Sequence, residues 1–162
     1  MSVHINDLPF ELLSEIFILL PFKQQFVVES VCLRWKECVR KLMELKKTFN
    51  LKSLGNYSDM FLDQEYRCVI NDNNFYILKS ILTKCPNINQ LDFNDATVQG
   101  WNHLLLSIGN LCPKLKTIYF NDSIKVSQQE INEFAQIFGS QLIKLSIGHC
   151  NYVFADYDYG FY

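Results

Sequence analysis

The spacing of apolar and polar residues divides the chain into a helical N-terminal part and a repetitive C-terminal part. Apolar side chains in residues 8–20 recur at helical spacing. Pro21 ends that run, because the residue before a proline avoids helical geometry. A short helix is predicted over 23–29, and a third apolar stripe runs at helical spacing from Val31 to Leu42. The N-terminal part therefore predicts three helices.

The C-terminal part repeats an apolar pattern every 27 residues. Segment 88–96 aligns with 115–123 and again with 142–150, and the first, fourth and sixth residues of each are apolar. Alternation at the fourth and sixth positions predicts a short strand with one buried face. Helices are predicted between the strands, and Ser127 with Glu130 forms a capping-box pattern before the last one. The helical positions are Ile77, Leu78, Ile81, Leu82, Trp101, Leu104, Leu105, Ile108, Leu111, Ile131, Phe134, Ala135 and Phe138.

Composition narrows the class of protein. The 162 residues carry a net charge of −2, and 49% of them are hydrophobic, which is ordinary for one globular domain or two very small ones. No apolar stretch reaches the roughly 18–20 residues of a membrane helix. The early run Ile16–Phe22 has no basic residue ahead of it, so we expect no secretory signal and no membrane partner. The negative net charge also argues against nucleic-acid binding over a large part of the surface.

The six cysteines are widely spaced: Cys32, Cys38, Cys68, Cys85, Cys112 and Cys150. A secreted chain with six cysteines suggests disulfides, but without a signal we expect a reducing compartment and free thiols. No Cys-x-x-Cys pair occurs, whereas structural zinc needs closely paired ligands. We therefore expect small buried apolar side chains, no metal site and no cofactor.

Basic residues concentrate where the two parts meet. From Arg34 to Lys52 there are seven basic and two acidic residues, while the remainder carries eight basic and fifteen acidic ones. Such a stripe can contact phosphate or an acidic protein surface. The alternative is the solvated face of a helix, which the helical spacing of the intervening apolar residues favours.

No pattern of catalytic residues stands out. Phosphate-loop, G-x-G-x-x-G and H-E-x-x-H motifs are absent, and His4, His103 and His149 are isolated from one another. Cys32 has apolar neighbours, whereas a reactive thiol needs a cationic, partly open environment and a base. We therefore expect no catalytic residues and no enzymatic activity of the chain's own.

Residues 8–17 read Leu-Pro-Phe-Glu-Leu-Leu-Ser-Glu-Ile-Phe and are followed by Leu20-Pro21, and residues 31–35 read Val-Cys-Leu-Arg-Trp. These two half-motifs resemble the F-box. Three residues depart from the family pattern: Gln24, Gln25 and Leu33. The family often has an acidic residue and a leucine at the first two of these positions and a basic residue at the third.

The resemblance implies binding to the Skp adaptor of cullin–RING ubiquitin ligases. The residues that would form or support that contact are Leu8, Pro9, Leu12, Ile16, Leu20, Val31, Cys32 and Trp35. We expect Leu13, Phe17 and Val39 to pack only within the three helices. Tryptophan is enriched at interface centres, which favours a contact role for Trp35.

The 27-residue period, with its L-x-x-L-x-L-x-x-[N/C] pattern, is similar to leucine-rich repeats. Two units begin with Cys-Pro, at Cys85-Pro86 and Cys112-Pro113, like the cysteine-containing repeats usually joined to F-boxes. The resemblance implies an α/β fold in which a three-helix F-box precedes a short leucine-rich-repeat solenoid. Parallel strands would line its concave face and helices its convex face.

We predict four segments in this F-box/leucine-rich-repeat chain. They are an F-box at 4–45, a linker or adaptor at 46–69, repeats at 70–150 and an aromatic tail at 151–162. The linker includes a degenerate strand near residue 61. The tail is open to three interpretations: an improvised cap, a frayed end or the remnant of a longer chain.

In the family, the concave face recruits the protein to be ubiquitinated. The corresponding candidate residues are Gln90, Asp92, Asn94, Thr117, Tyr119, Asn121, Lys144 and Ser146. Tyr119 is the best single candidate, because tyrosine offers a broad ring and a hydroxyl. The sequence thus favours a cytoplasmic or nuclear substrate-recruiting subunit of an SCF ubiquitin ligase, with an unknown protein substrate. The alternatives are a non-ligase decoy or scaffold, and a small leucine-rich-repeat interaction module.

Overall fold

Helices and strands alternate along the chain after the first three helices. The computed structural model describes residues 4–51, 68–70, 75–94, 96–98, 104–120, 128–148 and 150–153. Within them a 3-10 turn at Ile5–Asp7 precedes helices α1 to α6, which span Phe10–Ile18, Phe22–Val28, Leu33–Leu45, Phe75–Lys84, Leu104–Leu111 and Gln128–Phe138. Strands β1 to β7 span Thr48–Asn50, Cys68–Ile70, Gln90–Phe93, Ala96–Val98, Thr117–Phe120, Lys144–Ile147 and Cys150–Val153.

Five of these strands form the main sheet, in the order β1-β3-β5-β6-β7. The first four are parallel, and β7 pairs antiparallel to β6. Gln90 faces Thr117 and Thr117 faces Lys144, so these neighbours are related by the predicted 27-residue step. Strands β2 and β4 form a separate parallel pair. The described chain is therefore mixed α/β, with N-terminal helices and a four-strand parallel sheet.

The first three helices enclose their own buried side chains. Leu13 and Phe17 on α1 and Val39 on α3 are buried, as their apolar spacing predicts. Helix α1 begins after Pro9, whose carbonyl accepts a hydrogen bond from the Leu13 N–H at 3.1 Å. Pro9 therefore precedes the helix rather than lying in its first turn, since proline lacks an N–H but still offers its carbonyl.

A row of phenylalanine rings joins the N-terminal helices to the sheet. Phe22 of α2 meets Phe49 of β1 with ring centroids 6.0 Å apart, and Phe49 meets Phe93 of β3 at 6.5 Å. Phe93 stacks on Phe120 of β5 at 5.2 Å. All four side chains are buried, so the helices and the sheet share one hydrophobic core.

Helix α3 and strand β1 together form one further helix–strand unit at the start of the sheet. The Lys47 carbonyl accepts hydrogen bonds from the N–H groups of Asn89 and Gln90 at 2.8 and 3.1 Å. The Asn89 carbonyl accepts one from Lys116 in the same way, at 2.8 Å. Thr48 faces Gln90 in this pairing, a step of 42 residues (90 − 48) instead of 27. Part of the segment predicted as a linker is therefore a strand of the sheet.

Several predicted features fall outside the described residues. They are the strand expected near residue 61, Trp101, Ser127, Asn121 and the tail beyond Val153. The first residues of the predicted tail, Asn151–Val153, belong to β7 and pair with the last parallel strand.

Glu130 contributes to a neighbouring helix. Its Oε1 accepts a hydrogen bond from the Leu105 N–H, in the first turn of α5, at 3.2 Å. Glu130 is buried, and a carboxylate is favoured at the positive N-terminal end of a helix. The capping-box spacing predicted a role for Glu130 at the start of its own helix. It did not predict this contact, which links α6 to α5.

We expect Phe49→Ala to lower the free energy of unfolding by about 3–5 kcal/mol, because it opens a cavity between Phe22 and Phe93. Urea titrations followed by far-ultraviolet circular dichroism and by tryptophan fluorescence measure the change. Thr48→Ala is the control, since this exposed neighbour should change stability by less than about 0.5 kcal/mol. Two separate unfolding transitions in the native protein would contradict a shared core.

Candidate functional site

Large apolar side chains stay exposed on the N-terminal helices and the turn before them. They are Ile5, Leu12, Ile16, Ile18, Leu19, Val27, Val31, Leu33 and Leu45. Leu12 and Ile16 lie one turn apart on α1 and so share a face. Exposed apolar side chains that adjoin one another, as Leu12 and Ile16 do, mark protein interaction surfaces. We call this set the apolar helical surface.

The eight predicted adaptor-binding residues divide by exposure. The exposed ones are Pro9, Leu12, Ile16 and Val31. The half-buried ones are Leu8, Leu20, Cys32 and Trp35. Of these, Leu8, Leu20 and Trp35 pack against the core. The first group presents its side chains to solvent, whereas the second combines partial exposure with packing inside the chain. Adaptor binding by either group stays a prediction.

Trp35 is held by contacts within the chain. Its ring meets Phe17 edge-on with centroids 4.9 Å apart, and its Nε1 donates a hydrogen bond to Asn6 Oδ1 at 2.8 Å. Trp35 therefore helps to fix the turn before α1 and remains half-buried.

Arg34, the residue before Trp35, also stabilises the turn before α1. Its guanidinium donates to the carbonyls of Asn6 and Leu8. Neither Arg34 nor Asn6 is among the predicted site residues. Their contact joins positions 28 residues apart, and no local pattern signals it.

Leu19 and Leu33 are absent from the predicted adaptor-binding residues, although they are 83% and 85% exposed. Leu33 stands where the F-box pattern has a basic residue. That departure was the only feature of the sequence that could have indicated an exposed leucine here. Leu19 belongs to a helix that is apolar on nearly every side, and periodicity alone does not show which side stays uncovered.

Gln25 is a polar residue buried among the helices. Its Nε2 donates to the Leu20 carbonyl at 2.9 Å, but Oε1 has no hydrogen-bond partner among the described residues. The F-box pattern often has leucine here, which fits a buried position. Leaving a buried polar atom unpaired costs about 1–3 kcal/mol, so we expect glutamine to stabilise this position less than leucine would.

The polar residues of the sheet stand in two rows. Buried and half-buried residues alternate along β3 and β5. One row consists of Thr48, Gln90, Thr117 and Lys144, and the other of Asn50, Asp92, Tyr119 and Ser146. The register thus brings six of the predicted substrate-binding residues onto one face and adds Thr48 and Asn50, which the sequence did not indicate.

Contacts across strands order this face. Asn50 Nδ2 donates to Asp92 Oδ2 at 3.1 Å, and the Asn94 N–H donates to Asp92 Oδ1 at 3.0 Å. On the other side, Lys144 Nζ lies 5.1 Å from the centre of the Tyr119 ring. The face therefore carries an amide–carboxylate pair towards β1 and a lysine–aromatic pair towards β6.

The described cysteine side chains are free thiols. Those of Cys38, Cys85 and Cys112 are buried, and that of Cys32 is half-buried. Burial raises the pKa of the Cys85 thiol to about 11 and that of Cys112 to about 12. The described residues bring together no group of three or more His, Cys, Asp or Glu side chains that could hold a metal ion. None of the described helices is long and apolar enough to cross a membrane.

A protein-family model for the F-box domain matches residues 5–47. No curated protein matches the chain. The chain therefore contains an F-box domain, formed by the turn at Ile5–Asp7 and helices α1 to α3. An F-box domain implies a role as a Skp-binding adaptor in SCF-type complexes, and F-box proteins are generally non-catalytic.

We expect iodoacetamide at pH 8 to label Cys85 and Cys112 at least about tenfold more slowly than Cys32, because buried thiols with a raised pKa stay protonated and shielded. At pH 9 the order should persist, since that pH remains below both raised pKa values. Mass spectrometry of the digested protein measures each site, and labelling in urea is the control. Equal rates in the folded protein would contradict the buried positions.

Proposed function

We propose that this protein is the substrate-recruiting adaptor subunit of an SCF-type ubiquitin ligase. The F-box helices bind the Skp adaptor and, through it, the cullin–RING ligase. The polar face of the sheet binds the protein to be ubiquitinated. The observation that carries the proposal is the F-box domain at residues 5–47, whose helices expose large apolar side chains to solvent.

The apolar helical surface supplies the driving force for adaptor binding. Leu12, Ile16 and Val31 are 45%, 40% and 58% exposed. Complete burial of such a side chain is worth roughly 1.5–3 kcal/mol, so covering the exposed part of each contributes about 1 kcal/mol. Binding of a partner that covers several of these side chains is therefore favourable, because it buries apolar area that the isolated chain leaves in water.

The sheet offers the substrate surface. The 27-residue step, the parallel strands and the helices before them support its interpretation as a short leucine-rich-repeat array. Tyr119 is the best single contact residue, because its half-buried ring lies in the middle of the row from Asn50 to Ser146.

The proposal assigns no chemistry to the chain itself. The subunit acts by holding its substrate close to the ubiquitin carrier, which raises the effective concentration of one near the other. Its proposed location is the cytoplasm or the nucleus.

A second candidate is a decoy or scaffold that occupies the adaptor and delivers no substrate. The size of the main sheet favours it, since its described part has four parallel strands of three or four residues each. A sheet of this size offers a small area for binding another protein.

Adaptor binding is tested with the double variant Leu12→Glu/Ile16→Glu. Both side chains are exposed, so the charges should leave the core intact. We expect the native chain to bind purified Skp adaptor in calorimetry. The double variant should bind at least about 100-fold more weakly, because it carries unpaired charges into the interface.

The matched control is Ile137→Glu on α6, outside the F-box, where the side chain is 60% exposed. This variant should bind the adaptor as the native chain does, and circular dichroism should show that all three proteins are folded. Absence of binding by the folded native chain, or equal binding by all three, would refute the adaptor role.

Protein turnover separates a ligase subunit from a decoy. In cells that express the native chain, we expect the half-lives of a small set of proteins to shorten, as measured by pulse-labelling and mass spectrometry. Leu12→Glu/Ile16→Glu and Tyr119→Ala should each restore those half-lives, the first by releasing the adaptor and the second by weakening the substrate contact. Half-lives that do not respond to the native chain would favour the decoy.

A further inference from the structure

Two opposite charges lie diagonally across the polar face of the main sheet. Of the eight residues in the two rows on this face, only Asp92 on β3 and Lys144 on β6 are charged. Lys144 belongs to the row of Thr117 and Gln90, and Asp92 lies two residues beyond Gln90 along β3. With two strand spacings of about 4.8 Å and two residue rises of about 3.3 Å, the two backbone positions are about 12 Å apart.

Neutral donors hold the Asp92 carboxylate in place. Its Oδ2 accepts a hydrogen bond from Asn50 Nδ2 at 3.1 Å, and its Oδ1 accepts one from the Asn94 N–H at 3.0 Å. The ion pairs among the described residues do not include Asp92. Each carboxylate oxygen has a second lone pair, so this fixed negative charge can also accept a hydrogen bond from a cationic side chain of a partner.

The Lys144 ammonium group is held by an aromatic ring. Its Nζ lies 5.1 Å from the centre of the Tyr119 ring, and such a contact attracts the cation without neutralising it. Lys144 is also absent from the ion pairs of the described residues. Asp92, Tyr119 and Lys144 are all half-buried, and charges partly removed from water interact more strongly with a partner's charges than fully exposed ones.

We propose that this face binds an extended protein segment with a basic side chain on Asp92 and an acidic side chain on Lys144. An extended chain rises about 3.3 Å per residue, so residues four apart lie about 13 Å apart and on the same side. That spacing matches the separation of Asp92 and Lys144. The Gln90 amide and the Thr117 hydroxyl, which can each donate and accept hydrogen bonds, lie beside the diagonal and suit the polar backbone of such a segment.

The chemistry of the face favours an extended segment over a helix. Grooves that bind helices are apolar and receive a stripe of apolar side chains. The two rows of this face are polar, and Tyr119 is their single aromatic residue. Opposite charges at a fixed distance also select a partner by its charge pattern, since a wrong pattern places like charges together.

Selection from a phage-displayed library of random 12-residue peptides, with the full chain immobilised, tests the charge pattern. We expect the native chain to enrich peptides with a basic and an acidic residue four apart by at least about threefold over the unselected library. Asp92→Lys should instead enrich two acidic residues at that spacing, and Lys144→Glu two basic ones. Asp92→Asn retains an oxygen that can accept from Asn50, so it should keep the preference for an acidic residue and lose that for a basic one.

The matched controls are Lys79→Glu on α4 and Glu133→Lys on α6, which reverse the same charges away from the sheet. Both should enrich the same peptides as the native chain, and circular dichroism verifies that every variant is folded. The proposal is overturned if the folded native chain enriches no such pair, or if Asp92→Lys and Lys144→Glu enrich the same peptides as the native chain. A pair seven or eight residues apart would indicate a helical occupant and would also overturn it.

This inference rests on the proposed function only where that function assigns protein binding to the polar face, and the two can fail separately. Adaptor binding and protein half-lives that respond to Tyr119→Ala, without the charge selection, would overturn this inference alone. Charge selection by a chain that does not bind the Skp adaptor would support this inference and refute the ligase subunit.

Discussion

The row of rings from Phe22 to Phe120 is the interaction on which the rest of the structure depends. Strand β1 has three residues and pairs with a single neighbour, so its backbone hydrogen bonds alone hold it weakly. Burial of Phe49 between Phe22 and Phe93 supplies the missing stabilisation. Once β1 is held, it carries the pairing of β3 and hence of the strands that follow. The helices and the sheet therefore stabilise each other through Phe49.

The sequence predicted the repetitive elements because each unit presents the same buried column, such as Leu91, Ile118 and Leu145. It did not predict β1, whose step to β3 is 42 residues and escapes a search for a period of 27. Helix α3, which precedes β1, belongs to the F-box motif, so the repeat pattern did not indicate that it forms a helix–strand unit with β1. Contacts such as that of Glu130 with Leu105 depend on how two helices approach, and neither local spacing nor composition encodes that approach.

The same limit applies to the candidate site. Motif resemblance and helical spacing distinguish Leu13 and Phe17, which are buried, from Leu12 and Ile16, which are exposed. They do not identify Leu33, because a motif describes what a family shares and this residue departs from it. A residue such as Leu33, which differs from the family pattern and is largely exposed, therefore gives information about this chain that the motif residues do not.

Helix α3 serves both the F-box and the sheet, and this double use determines how the two surfaces are related. No flexible spacer separates α3 from β1, since only Lys46 and Lys47 lie between them. The ion pair of Lys84 with Glu29, and the position of Lys84 Nζ 4.7 Å from the centre of the Phe26 ring, tie α4 to α2 as well. In the proposed function, a ligand on the sheet would thus be held at one distance from an adaptor on α1, whereas a flexible linker would average over many distances. Any movement needed to bring a bound protein to a distant reaction centre must then come from that protein or from other subunits.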